Sequence, residues 1–152
     1  MIIRRALAQD ENELAEFNSS IARETEGVEL IPEVIGAGVK AMIENPHMGF
    51  YLVVELDNGI QASLMVTTEW SDWRNGTIWW MQSVYVHPSY RKQGVFHEIF
   101  KHIETIAANT PSIQSLRLYV MKNNETGLKT YQSIGMSSSG YLVYEKQLLA
   151  FL

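Results

Sequence analysis

The fold is decided by one stretch, Val84-Tyr85-Val86-His87-Pro88-Ser89-Tyr90-Arg91-Lys92-Gln93-Gly94-Val95-Phe96. Its first three residues are typical of the end of a buried strand, which Pro88 stops because proline has no N–H to give to a ladder. A basic turn follows, and an apolar stripe at helical spacing then begins. The stretch therefore predicts a strand, a turn and a helix in direct succession.

The turn has the chemistry of a phosphate-binding site. The first amides of a helix have no partner inside the helix and point outward at the positive end of its dipole, where a phosphate can accept them. Gly94 would allow a ligand close to the backbone, while Arg91 and Lys92 add positive charge. Such a unit is also common as plain structure, so the turn alone leaves phosphate binding and simple packing open.

The rest of the sequence extends this unit to a complete order of elements, β-α-α-β-β-β-α-β-α-β. Strands are predicted at residues 2–7, 49–56, 60–69, 77–86, 115–121 and 139–148. Helices are predicted at 10–22, from Pro32 to an end at Asn45-Pro46, at 93–109 and at 124–134. Asp10 is the expected cap of the first helix, and Asp57-Asn58-Gly59 and residues 70–76 are the expected turns between strands. This order predicts one α/β domain over residues 1–152, with a mixed, largely antiparallel sheet and one parallel β-α-β crossover through helix 93–109.

Composition excludes several classes of function. The 152 residues are 46% hydrophobic, which is enough for a core. The absence of cysteine excludes disulfides, a thiolate zinc site and a cysteine nucleophile, and it favours a cytoplasmic location. The net charge is −5 and no basic run exceeds two residues, so no nucleic-acid partner is expected. No apolar run is long enough for a membrane span, and no histidine has metal-ligand spacing.

Two nucleotide-binding patterns can be set aside. Residues 36–41 match Gly-x-Gly-x-x-Ala, but the pattern follows a helix start at Pro32 rather than the strand that a dinucleotide site requires. A P-loop sequence does not occur. Ser83 and His87 lack the nucleophile elbow of a hydrolase.

The sequence resembles the GNAT superfamily of acetyl-CoA-dependent N-acetyltransferases. Residues 91–96 are similar to its acetyl-CoA signature, Arg/Gln-x-x-Gly-x-Gly/Ala, and residues 84–88 to its strand ending in Val-x-Pro. Residues 124–131, Asn-Glu-Thr-Gly-Leu-Lys-Thr-Tyr, resemble the second motif, Asn-x-x-Ala-x-x-x-Tyr. The two motifs are separated by one helix and one strand, as the family requires, and the resemblance covers nearly the whole chain.

The chain departs from the family pattern at three positions. Phe96 stands where a small residue is usual, Gly127 where alanine is usual, and Met136 where phenylalanine is usual. Phe96 continues the apolar stripe of the helix. We therefore expect its ring to pack into the core while its amide still faces phosphate.

The resemblance implies a set of cofactor-binding residues. The amides of residues 91–96 would surround the pyrophosphate of coenzyme A, and the backbone of Val84 and Val86 would pair with the pantetheine arm as a strand would. Asn124 would contact the arm or orient the second motif. The implied cofactor-binding set is Val84, Val86, Arg91, Lys92, Gln93, Gly94, Val95, Phe96 and Asn124.

The resemblance also implies that Tyr131 is the general acid, which would protonate the departing CoA thiolate. The alternative is that Tyr131 is a half-buried aromatic that only holds its helix in place. Without cysteine no acyl-cysteine intermediate can form, so direct transfer in a ternary complex is expected.

The acceptor side is read less clearly from the sequence. Glu26 and Glu69 are candidates for a base or for binding the amine, and Glu24, Trp70 and Gln82 for contacting the acceptor. Each carboxylate could equally be a solvated surface group. The expected function is N-acetyl transfer from acetyl-CoA to a primary amine, without a metal, by a monomer or homodimer. Transfer of another acyl group, or a CoA-binding or protein-binding module without turnover, remains the alternative.

Overall fold

The structure is a computed structural model that describes residues 1–56 and 58–149. Its strands are β1 (Ile2–Arg5), β2 (Gly49–Leu56), β3 (Gly59–Ser71), β4 (Gly76–Val86) and β5 (Ile113–Leu118). They form one sheet in chain order, β1-β2-β3-β4-β5. Neighbouring strands are antiparallel except β4 and β5, which are parallel. The predicted mixed α/β sheet with one parallel crossover is confirmed.

The α-helices of the described chain are α1 (Glu11–Glu26), α2 (Pro32–Glu44), α3 (Val95–Ala108) and α4 (Glu125–Ser133). None is long and apolar enough to cross a membrane within the part of the chain described. The glycine-containing pattern at residues 36–41 lies inside α2, with no strand before it. This position agrees with its rejection as a dinucleotide site.

The two faces of the sheet carry different helices. On one face, strands β2, β3 and β4 share a buried cluster with α1 and α2. The cluster comprises Leu14, Phe17, Val39, Tyr51, Val53, Ile60 and Tyr85. Because side chains alternate along a strand, Leu52 and Val54 face the other side, where α3 packs against the sheet. We call these the α1/α2 face and the α3 face.

The first helix differs from its prediction at both ends. Asp10 makes no side-chain cap bond to α1. Its carboxylate instead accepts Arg4 Nη1 and Nη2, at 2.7 and 3.0 Å, and the Leu7 N–H at 2.8 Å. At the other end the helix continues to Glu26, where Gly27 closes it with φ +66°. Helical bonding therefore extends one turn beyond the last apolar residue that the sequence pattern uses.

The strands that lead to the site also shift slightly from prediction. β3 continues through Trp70 to Ser71, so the turn expected at 70–76 is shorter. β5 begins and ends earlier than the expected 115–121. The hairpin between β2 and β3 was expected at Asp57-Asn58-Gly59, and Asp57 lies outside the described residues. Gly59 has φ +98°, which suits a turn that glycine adopts without strain.

The chain divides into two compact units, Met1–Tyr119 and Val120–Leu152. The whole sheet and α1, α2 and α3 belong to the first unit. The second contains α4, which ends in a Schellman-type turn: the Met136 N–H bonds Tyr131 O at 3.0 Å, and Gly135 has φ +87°.

The strand predicted at residues 139–148 is wrong for the structure described. No strand or helix is assigned there, and side chains such as Tyr141 and Tyr144 are exposed. Alternation of apolar residues supplies strand propensity, but a strand forms only where a neighbour completes its backbone hydrogen bonds. The described part of the second unit contains no such neighbour.

Candidate active site

Strand β4 has an irregularity at the place where the sheet opens. Between Gln82 and Tyr85 it carries one residue more than the facing segment of β3, and Ser83 adopts the left-handed conformation with φ +49°. The extra residue is a β-bulge, which bends a strand and ends regular pairing. On the other edge, pairing between β4 and β5 stops at Met81 and Leu118.

The consequence is an open backbone edge. Among the described residues, no strand pairs with β4 on its β5 side from residue 82 to residue 86. Amide and carbonyl groups on such an edge can pair with an extended ligand as they would with a strand. Val84 and Val86, which the resemblance assigns to the pantetheine arm, both lie on this edge.

A buried polar group supports the bulge from the α1/α2 face. The Tyr51 hydroxyl is hydrogen bonded to Asn18 Nδ2 at 3.4 Å and to the side chain of Ser83. Burial raises the pKa of Tyr51, so this hydroxyl keeps its proton at neutral pH. The strained Ser83 is thus held by a network that includes a core residue from α1.

The turn before α3 has the backbone of an anion site. Lys92 and Gly94 both have positive φ, +60° and +83°, and they flank Gln93. Alternating-handed backbone of this kind directs successive N–H groups into a concavity. Gly94 is the N-cap of α3 and places no side chain over the helix end, and a Cβ there would meet no atom within 4 Å. The site therefore has space for a ligand close to the backbone.

Two side chains of the signature hold the turn itself. Arg91 donates from Nε to Val86 O at 2.8 Å and from Nη2 to both oxygens of Glu24, at 3.0 and 2.8 Å. Gln93 donates from Nε2 to Ser89 O at 2.7 Å. Arg91 thus joins the turn at residues 91–94 to the last turn of α1, and Lys92 is exposed beside it.

The first turn of α3 is anchored by its apolar side. Val95 is 4% exposed. The Phe96 ring is half-buried, with its centroid 6.2 Å from that of Phe100, which is buried. The ring therefore lies on the flank of the helix against Phe100 and is only partly buried, which is less than the core packing expected from the sequence.

A group of side chains projects from the α1/α2 face beside the opening. Gln82 donates from Nε2 to Thr67 Oγ1 at 2.6 Å. Two residues earlier on β4, the Trp80 indole donates from Nε1 to Glu69 Oε2 at 2.7 Å. Arg117 Nη1 lies 3.4 Å from the same Glu69 oxygen, and the Tyr119 ring stacks on Trp80 with centroids 4.5 Å apart.

Of the acceptor-side candidates, the structure brings Gln82 and Glu69 to this face. Glu24 lies on α1 in its ion pair with Arg91, and Glu26 is exposed at the end of the same helix. Both had been expected in a connection rather than on a helix. Trp70 follows Glu69 along β3, so it points to the opposite face and is exposed there.

Sequence reasoning missed Arg117 and Tyr119 as possible site residues, and it grouped Trp80 with Trp70, Trp73 and Trp79 as lining for an acceptor pocket, a dimer face or ordinary packing. Four tryptophans near one turn were a visible signal, but only the register of β4 against β5 selects Trp80. That register pairs Trp80 with Arg117. No local pattern in the sequence specifies such a pairing.

In the second unit, Asn124 and Tyr131 lie at the start and on the body of α4. Asn124 Oδ1 accepts the Gly127 N–H at 2.9 Å and so caps the helix. A Cβ at Gly127 would lie 2.7 Å from the Asn124 amide nitrogen, which gives a local reason for glycine where alanine is usual. Burial raises the pKa of Tyr131, so its hydroxyl keeps its proton at neutral pH.

No group of His, Asp or Glu residues in the ranges 1–56 and 58–149 could hold a metal ion. The groups described at the opening are backbone amides and carbonyls, the hydroxyls of Tyr51 and Ser83, the Gln82 amide and the Glu69 carboxylate.

Comparison with known proteins identifies the family. The sequence model of the acetyltransferase (GNAT) family matches residues 11–136. A possible acetyltransferase from Clostridium difficile 630 has a similar crystal structure, with 40% sequence identity, a TM-score of 0.92 and 98% of each chain covered. No curated protein sequence is significantly similar.

More distant structures share the fold. A predicted acetyltransferase from Clostridium acetobutylicum, solved with acetyl-CoA, has 17% identity, a TM-score of 0.78 and 95% of each chain covered. Ribosomal-protein-alanine N-acetyltransferase from Brucella melitensis has 16% identity and a TM-score of 0.77 over 97% of this chain and 100% of that one. With the open edge of β4, the glycine-capped turn before α3 and the family match over most of its length, this chain belongs to the GNAT family of acetyltransferases.

Proposed function

We propose that the chain is an N-acetyltransferase that moves the acetyl group of acetyl-CoA to a primary amine of a small molecule or peptide. The observation that carries the proposal is the β5-side edge of β4 at residues 82–86, with which no described strand pairs and which is joined by the 3-10 helix Pro88–Tyr90 to the turn at residues 91–96. An extended arm and a diphosphate at its end fit these two adjoining features. Transfer takes place within a ternary complex.

The residues present fit coenzyme A on chemical grounds. The alternating-handed backbone at Lys92 and Gly94, with room beside Gly94, suits the diphosphate. The backbone of the β4 edge suits the two amide groups of the pantetheine arm, although the Val86 carbonyl already accepts Arg91 Nε. When bound, acetyl-CoA supplies a thioester carbonyl that an amine can attack.

The chain's own side chains would orient and neutralise the amine. Because Gln82 Nε2 is occupied by Thr67, the Gln82 carbonyl oxygen is the group available to accept a hydrogen bond from the amine. Glutamine cannot remove a proton, so proton loss runs through water. Glu69 and Glu26 remain the candidates to receive that proton.

We assign Tyr131 as the general acid, from its match to the second motif of the family. The phenol is protonated at neutral pH, as a group that gives its proton to the departing thiolate must be. The sequence has no cysteine, so transfer does not use an acyl-cysteine intermediate.

The test combines calorimetry with release of free thiol from acetyl-CoA over a panel of primary amines. Binding of CoA together with amine-dependent thiol release supports the proposal. Binding without turnover on any amine supports a non-catalytic module, and faster turnover with propionyl-CoA or butyryl-CoA supports another acyl donor. Acyl-enzyme formed in a single turnover without amine contradicts direct transfer.

A further inference from the structure

A surface patch made of Glu69, Trp80, Arg117 and Tyr119 lies on the α1/α2 face, and we call it the Glu69 patch. Trp80 and Gln82 are alternate residues of β4, so they point to the same face and lie about 7 Å apart. The patch is therefore within reach of a small acceptor whose reacting amine lies at Gln82. The following inference rests on the proposed function.

Glu69 is a carboxylate with one oxygen held and the other available. Oε2 accepts Trp80 Nε1 at 2.7 Å and lies 3.4 Å from Arg117 Nη1, whereas Oε1 makes no hydrogen bond among the described residues. The side chain is 45% exposed. A ligand that bonds to Oε1 would lose little side-chain freedom, because Oε2 already fixes the carboxylate.

The patch favours a cation over an anion. Arg117 is the group that could bind an anion, but its side chain is only 23% exposed, is paired with Glu69 and lies 5.8 Å from the centre of the Trp80 ring. Tyr119 is exposed and stacks on Trp80, so ring faces that attract cations border the carboxylate. The net charge of −5 adds a weak attraction of the same sign.

We propose that the acceptor is a diamine, with one amine at Gln82 for acetylation and the second, as an ammonium, on Glu69 Oε1. Trp80, which holds the Glu69 carboxylate, lies one β-strand repeat of about 7 Å from Gln82 along β4. Adding the reach of the carboxylate gives a spacing that suits a linker of about four to six methylene groups. Glu69 is thus a residue of substrate selection.

The experiment compares three acceptors of equal length: 1,5-diaminopentane, pentylamine and 5-aminopentanoate. In the wild-type chain, kcat/KM for the diamine should exceed that for pentylamine by about fivefold, mainly through KM, as expected for one partly exposed ion pair bordered by aromatic rings. High salt should reduce the preference, because it screens the pair.

The matched variant is Glu69→Gln, which keeps the shape of the side chain and an oxygen for Trp80. It should abolish the diamine preference, which is the ratio of kcat/KM for the diamine to kcat/KM for pentylamine, whatever its effect on the rate with pentylamine. Arg117→Gln should keep the preference. If Glu69→Gln lowers the melting temperature, Trp80→Phe, which removes the tether but keeps a ring, provides a second test and should weaken the preference.

Equal kcat/KM for the diamine and pentylamine would overturn the inference. So would a preference for 5-aminopentanoate that Arg117→Gln abolishes, because that result would identify a carboxylate-bearing acceptor. In both cases acetylation of an amine still occurs and the proposed function stands. Failure of all three acceptors and of the wider amine panel would count against the proposed function itself.

Discussion

The two halves of β4 differ in how their edges are paired. From Thr77 to Met81 the strand pairs on both edges, with β3 and with β5. From Gln82 to Val86 it contains a bulge and pairs with β3 alone among the described strands. The same strand is thus fully paired in its first half, while its second half has the open edge that we propose for cofactor binding.

The opening of β4 is a property of its backbone conformation. Ser83 has φ +49°, an unfavourable conformation for a residue with a side chain, and Tyr51 and Asn18 support it from the core. The closed half requires no such support.

The largest expected effect separates chemistry from binding. Tyr131→Phe removes the proposed acid but keeps the ring, so kcat should fall by about 100-fold or more. The Kd for CoA, measured by calorimetry, should stay the same, since the open edge of β4 is unchanged. Unaltered turnover would show that Tyr131 is only a packing residue.

The next largest effect concerns the turn that adjoins the open half. Gly94→Glu places a negative charge beside the diphosphate, and at about 2 kcal/mol of repulsion the Kd for CoA should rise roughly 30-fold. Gly94→Ala is the matched control, because it introduces the same strain at φ +83° without the charge. Equal Kd values for the two variants would mean that the turn does not contact phosphate.

The Arg4–Asp10 ion pair lies beside β1, at the edge of the sheet opposite β5, and should affect stability alone. Burial disfavours the charge of Asp10, but the Arg4 ion pair and the Leu7 N–H outweigh it and hold the pKa of Asp10 below its usual range. A lowered pKa stabilises the fold above the unfolded value, near 4, and this contribution is lost as the pH falls through the folded value.

Asp10→Asn should therefore lower the free energy of unfolding by about 2 kcal/mol at pH 7, with the gap to wild type closing below about pH 4. Urea titrations at several pH values measure this gap, and Kd for CoA should be unchanged at pH 7. A gap that is constant with pH would contradict the assigned ion pair.

The smallest effect tests the bulge. Ser83→Gly removes the cost of a left-handed residue, whereas Ser83→Val adds a β-branched side chain where φ is positive, so the two should differ by about 1 kcal/mol or more in stability. Urea denaturation provides the measurement. Equal stabilities would indicate that the bulge is absent from the folded protein in solution.

Much of this arrangement could be predicted from the sequence. Pro88, Gly94 and the helical stripe after them fix a strand, a turn and a helix by local chemistry, and the resemblance to a family adds the order of the remaining elements. The bulge at Ser83 could not be predicted, because it depends on how β4 is matched against β3. For the same reason Trp80 and Arg117 are neighbours only through the register of β4 and β5.

The wrong prediction at residues 139–148 has the opposite cause. There the alternation of apolar residues is clear, but it describes only one side of a pairing. A ladder also requires a partner strand, and partners are chosen by tertiary structure. Local pattern was therefore sufficient where a turn decided the outcome and insufficient where a distant strand did.

The most direct test of the central claim is amide hydrogen exchange of the chain with and without CoA. The account predicts slower exchange on CoA binding in fragments that cover residues 82–86 and 92–96, with no change in residues 77–81. Binding that leaves 82–86 unprotected, or that protects both halves of β4 equally, would contradict the assignment of this open edge to the cofactor.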